Sequence, residues 1–228
     1  MQPYAIAFQH ASAHGVLAAI HIPDAPDPVP DDVLSRLPAA EAELARSLRG
    51  YRQVQFVGGR MALRRACESL GVRPGPILST GRGAPALPAG IAGSVSHKRT
   101  LAIGMVASAA DGTLGVDLEE YGPPRPSIAR HVLTPDELAE VEALPDAQRW
   151  TSILLRFSIK ESIYKALDPY VSRYVGFHEA VVRPDLQRTA AVRLQLAKGE
   201  GPFAVDARYD WMNGRVVTSV RIRRGEVA

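Results

Sequence analysis

A single cysteine, Cys67, stands among 228 residues. No internal disulfide can form, and a reducing compartment is expected. No apolar run approaches the ~18 residues that a membrane span needs, so a membrane protein is not expected. The N-terminus lacks a basic n-region and is interrupted by Pro3, so no signal peptide is expected and a cytoplasmic location follows. Neither sign of charge dominates: 27 Lys and Arg face 24 Asp and Glu, for a net charge of +3. That balance, with no RNP motif, zinc finger or long basic run, gives no case for nucleic acid. His10, His14, His21, His131 and His178 show no metal-ligand spacing. No internal repeat is detectable.

What the chain does have is a core. Hydrophobic residues make up 46% of it, enough for one large domain or two small ones. The mildly basic balance suits a polyanionic small ligand or an acidic protein partner. Strand patterns fall at 4–8, 16–22, 91–95, 100–107, 113–119, 178–182, 190–196, 203–209 and 215–222. Helical patterns cover 38–49, 51–70 and a long stretch ending near Leu167. A capping box, Thr134-Pro135-Asp136-Glu137, starts another helix that stops at Leu144-Pro145. Strands and helices mix without βαβ alternation, so the expected class is α+β.

Two stretches carry chemistry. Phe157 to Leu167 reads as a helix that is apolar almost all round, with Ser158, Glu161, Ser162 and Lys165 gathered in a narrow polar stripe. Glu161 and Lys165 stand four apart and so are neighbours on one face. Buried charges of this kind need a partner or a job. Read alone, the pair is equally open to being an ordinary solvated ion pair. The second stretch, Leu114-Gly115-Val116-Asp117-Leu118-Glu119, is a strand in which Asp117 and Glu119 point to one side, with Val116 and Leu118 turned into the core. A solvated strand end is the alternative. Two carboxylates from a strand and a third from a helix suit Mg²⁺, a hard cation that keeps waters and bridges phosphates.

Taken together, Gly115-Val116-Asp117-Leu118-Glu119 and Phe157-Ser158-Ile159-Lys160-Glu161-Ser162-Ile163-Tyr164-Lys165 resemble the signature pair of the 4'-phosphopantetheinyl transferases, in the single-chain Sfp and enterobactin-synthetase arrangement. Upstream, Gly81 to Pro88 is similar to the family's Gly-x-Pro-x-x-Pro segment, and Ser94-Val95-Ser96-His97 to its Ser-x-Ser-His segment. Arg60 to Arg64 resembles its Arg-containing helix. The resemblance implies two similar α+β subdomains related by a pseudo-twofold, here 1–110 and 111–228, in a monomer. It also implies transfer of 4'-phosphopantetheine from coenzyme A to a serine of an apo acyl or peptidyl carrier protein, with adenosine 3',5'-bisphosphate released. By the same resemblance Mg²⁺ is held by Asp117, Glu119 and Glu161, and Glu161 and Lys165 are catalytic. Coenzyme A contacts are implied for Arg52, Arg60, Arg82, Ser96, His97, Asp117, Lys160 and Lys165. The segment holding Arg125, Arg130 and His131 is implied as a carrier-docking surface. Two rival readings are another Mg²⁺-dependent phosphate-transfer enzyme or phosphohydrolase, and a non-catalytic module that binds coenzyme A or a carrier.

Overall fold

The computed structural model describes residues 2–225; the outermost ends of the two expected subdomains lie outside them. The chain divides into two compact units, Met1–Leu114 and Gly115–Ala228.

The first unit is a four-stranded sheet with one long helix on it. Strands β1 (Ile6–Ser12), β2 (Gly15–His21), β3 (Ile91–Lys98) and β4 (Leu101–Ser108) take the order β1-β2-β4-β3, and every pairing is antiparallel. Short helices α1 (Asp31–Leu34) and α2 (Ala39–Ser47) precede α3 (Gly50–Ser69), which packs against β2, β3 and β4. Backbone nearly touches backbone there: a Cβ on Gly104 of β4 would lie 2.6 Å from the amide nitrogen of Leu63. Only glycine allows that approach. Cys67 of α3 is fully buried beside Ala18, Leu63, Ala66, Ile77 and Val106. The first strand begins later than its sequence pattern suggests. Tyr4 adopts a positive φ of 58° and is buried ahead of the strand instead of inside it.

The second unit repeats the recipe with different counts. Strands β5 (Thr113–Glu120), β6 (Ala180–Pro184), β7 (Thr189–Leu194), β8 (Phe203–Met212) and β9 (Arg215–Arg224) form a sheet in the order β5-β9-β8-β7-β6. The helices are α4 (Ala129–Val132), α5 (Pro135–Glu142) and α6 (Asp146–Val171). The capping box at Thr134 forms as the sequence predicts, with both reciprocal hydrogen bonds made. Helix α6 buries Ile153, Leu154, Ile159, Ile163, Ala166 and Leu167 in one core, as its all-round apolar pattern demands. It runs past the expected end at Leu167, through Pro169, to a left-handed cap at Ser172. A proline this near the end forfeits one hydrogen bond of the last turns without stopping the helix.

Candidate active site

In the second unit the site begins with Gly115. A Cβ there would stand 1.9 Å from the carbonyl oxygen of Ser162, so β5 lies directly against α6. Residues 115, 117 and 119 share one side of the strand. The carboxylate side of β5 is therefore the side that α6 covers. Val116 and Leu118 are turned into the core as the alternation predicts, but the carboxylate side is covered as well and is not a solvated strand end. Asp117 and Glu119 are each only 4% exposed, and Val116 and Leu118 are buried without belonging to the α6 core.

The polar stripe of α6 meets this side. Lys165 Nζ donates to Asp117 Oδ1 at 2.8 Å and to the carbonyl of Val116 at 2.9 Å. Ser158 Oγ donates to Asp117 Oδ2 at 2.9 Å. Glu161 is half-buried on the same helix. Among the described residues, no group of three or more His, Cys, Asp or Glu side chains is assembled to hold a metal ion. The expected triad of Asp117, Glu119 and Glu161 is not among such groups, and Asp117 is engaged by Lys165 and Ser158. The donor set still fits Mg²⁺ in kind. It consists of hard carboxylate oxygens, and Asp117 Oδ1 already holds a cation, the Lys165 ammonium.

Lys160 requires a second correction. Its ammonium was expected at the substrate phosphates. It is instead 3% exposed and donates to Glu137 Oε2 at 2.6 Å, to the Val132 carbonyl at 2.8 Å and to the Phe177 carbonyl at 3.0 Å. An ammonium has three donors, and all three are taken within the protein. Burial pulls this ammonium below its ordinary value, and its hydrogen bond to Glu137 opposes that shift. Glu137 in turn accepts from the amides of Thr134 and Val182. Lys160 therefore ties α6 to α5 and β6, one residue before Glu161.

In the first unit a cleft of about 620 Å³ is lined by Arg52, Phe56, Arg60, Arg82, Val95 and His97, among others. Four of the expected coenzyme A contacts thus meet in one place. Arg60 is 4% exposed and lies 4.4 Å above the Phe56 ring. Its Nε donates to the Ile77 carbonyl at 2.6 Å, and Nη2 donates to the Leu78 carbonyl and Ser79 Oγ. Burial lowers its affinity for the proton, against an opposing pull from Glu41. Arg64 lies outside this cleft and donates to Glu41 and to the carbonyls of Pro74 and Gly75. Arg82 stands exposed on a tight turn closed by hydrogen bonds between Thr80 and Ala84 and between Gly83 and Thr80. Gly83 has a φ of +85°, which suits glycine. His97 lies within β3, opposite Ala102, and not after a strand. Ser96 is the expected contact that fails to join. Strand alternation turns it away from Val95 and His97, and it is buried outside the cleft.

Sequence reasoning missed Glu137, Ser79 and Thr218. Glu137 was read only as a cap, and its link to Lys160 spans 23 residues. Thr218 of β9 carried no motif. It accepts or donates with both serines of the α6 stripe.

Comparisons with known proteins identify the family. A family model described as the 4'-phosphopantetheinyl transferase N-terminal domain matches residues 39–107. A second, described as the 4'-phosphopantetheinyl transferase superfamily, matches residues 113–218. The chain is 36% identical over 207 residues to the 4'-phosphopantetheinyl transferase Svp of Streptomyces mobaraensis, covering 85% of this chain and 81% of that one. It is 33% identical to the 4'-phosphopantetheinyl transferase PptT of Mycobacterium tuberculosis, over 64% of each chain. Enterobactin synthase component D of Salmonella typhimurium is 30% identical over 60% of this chain and 57% of its own. A solved holo-(acyl-carrier-protein) synthase from Bacillus anthracis, in complex with CoA (3',5'-ADP), aligns with 49% of this chain and 96% of its own at 18% identity and a TM-score of 0.41. The chain belongs to the 4'-phosphopantetheinyl transferase superfamily.

Proposed function

We propose that the chain transfers the 4'-phosphopantetheine arm of coenzyme A to a serine hydroxyl on an apo acyl or peptidyl carrier protein and releases adenosine 3',5'-bisphosphate. The observation that carries this reading is the meeting of Asp117, on β5, with Lys165, on α6, in a chain of this family. The cleft bearing Arg52, Arg60, Arg82 and His97 takes the nucleotide end, because guanidinium forks and imidazole suit phosphate. Asp117 and Glu119 would hold Mg²⁺, with Glu161 as the further ligand. Bound there, the ion would neutralise the pyrophosphate and orient an in-line displacement. Glu161 accepts the serine proton as general base. Lys165 offsets the charge on the departing phosphate. The chain acts as a monomer in the cytoplasm.

A phosphohydrolase would release phosphate from coenzyme A without any carrier, and a binding module would release nothing. Incubation with coenzyme A, Mg²⁺ and an apo carrier separates the three. A gain of ~340 Da on the carrier, the mass of the arm, supports transfer. An unmodified carrier, with coenzyme A either intact or hydrolysed, overturns it. A panel of apo carriers from siderophore, polyketide, fatty-acid and peptide synthesis then identifies the partner.

A further inference from the structure

Three hydroxyls run in single file through the interior beside Asp117. Ser158 and Ser162 of α6 and Thr218 of β9 are all 0% exposed. Ser162 Oγ lies 2.7 Å from Thr218 Oγ1 and 3.2 Å from the Thr218 carbonyl. Thr218 Oγ1 donates to the Ser158 carbonyl at 2.9 Å and lies 3.0 Å from Ser158 Oγ. Ser158 Oγ reaches Asp117 Oδ2 at 2.9 Å.

Each hydroxyl has one hydrogen, and an ionised carboxylate can only accept. Ser158 must therefore spend its hydrogen on Asp117. Thr218 Oγ1 gives its hydrogen to the Ser158 carbonyl and lies 3.0 Å from Ser158 Oγ. Ser162 Oγ backs Thr218 in turn, at 2.7 Å from its hydroxyl. The Thr218 hydroxyl thus braces Ser158 from behind while Ser158 Oγ stays on Oδ2. With Oδ2 engaged by Ser158, Oδ1 is the oxygen presented to a cation. In this structure that cation is Lys165.

We infer that Ser158, backed by Thr218, is a positioning residue for the divalent-cation site. It sets which oxygen of Asp117 faces the metal. The inference rests on the assignment of Asp117 as a metal ligand. Its test is the binding of Mn²⁺ to the whole chain without substrate, read by loss of the free-ion electron paramagnetic resonance signal.

Ser158→Ala should weaken Mn²⁺ roughly tenfold, the order of one charge-assisted hydrogen bond. Thr218 allows a sharper comparison. Thr218→Val keeps the shape and removes the hydroxyl, whereas Thr218→Ser keeps the hydroxyl and removes a methyl. Positioning through the hydroxyl requires Val to weaken Mn²⁺ and Ser to leave it near wild type. If both variants melt lower but bind Mn²⁺ like wild type, or if Ser weakens binding more than Val, the inference is overturned. Should Ser158→Ala not fold, the Thr218 pair decides alone. Asp117→Asn separates the two levels. Mn²⁺ affinity that survives Asp117→Asn refutes the metal-ligand assignment itself. Loss there with no effect at Ser158 or Thr218 refutes only the positioning role.

Discussion

Lys160 and Glu137 form an ion pair at 2.6 Å in which the side chains are 1% and 0% exposed. Removing one partner from such a pair leaves a buried charge uncompensated. Lys160→Met should lower stability by about 3–5 kcal/mol in chemical denaturation. The affinity of the folded fraction for coenzyme A should change little. A variant that keeps its stability and loses coenzyme A would return Lys160 to the phosphates.

Gly115 offers a test of the strand–helix contact. Gly115→Ala would push a methyl group into the Ser162 carbonyl, and neither backbone can yield cheaply. A loss of about 3 kcal/mol or more is expected, with activity falling because Asp117 and α6 are driven apart. A thermal midpoint equal to wild type would show that β5 and α6 have room to part.

Arg60 and Arg52 line one cleft but differ in burial. Arg60→Ala strands the carbonyls that Arg60 caps, at a cost of about 1–3 kcal/mol in stability. It should also weaken coenzyme A more than dephospho-coenzyme A, since only the former has the 3'-phosphate. Arg52→Ala should reduce coenzyme A affinity at unchanged stability. Equal losses for both ligands in both variants would remove the 3'-phosphate from this cleft.

Arg173 donates to Glu179 and Glu200 at 2.6–3.0 Å. Its hydrogen bonds hold the Glu179 carboxyl at about 2, down from an ordinary 4.5. A depressed carboxyl stabilises the fold fully above its unfolded value and loses that contribution as pH falls through the folded value. The stability gap between wild type and Arg173→Ala should therefore be constant above about pH 5 and shrink towards pH 2. Denaturation curves at pH 7, 4 and 2.5 measure it, and a gap that widens with acid contradicts the pairing.

The capping box, the antiparallel strands and the polar stripe of α6 were all legible, because each is written in spacing of four residues or fewer. What the stripe faces was not. Alternation puts Asp117 and Glu119 on one side of β5 without saying which side the helix will cover. The covering is decided by Gly115, whose missing side chain admits α6. Lys160 misled for a related reason. Its partner comes from another helix, and a lysine beside Glu161 looks catalytic until that distant acid is seen. Ser96 and His97 are adjacent in sequence, yet strand geometry sends them to opposite sides. The cleft arginines were readable one by one through family motifs, but their convergence depends on the 74–79 segment that Arg60 and Arg64 hold in place.

The one sulfhydryl has a practical meaning. Cys67 is shut inside α3's packing, and burial raises its pKa, so it contributes little thiolate for alkylation. The native protein is in effect a blank background for thiol-directed probes. Leu186, 97% exposed at the β6–β7 turn, is a place where Leu186→Cys would carry a fluorophore or spin label alone, with no prior removal of the natural cysteine.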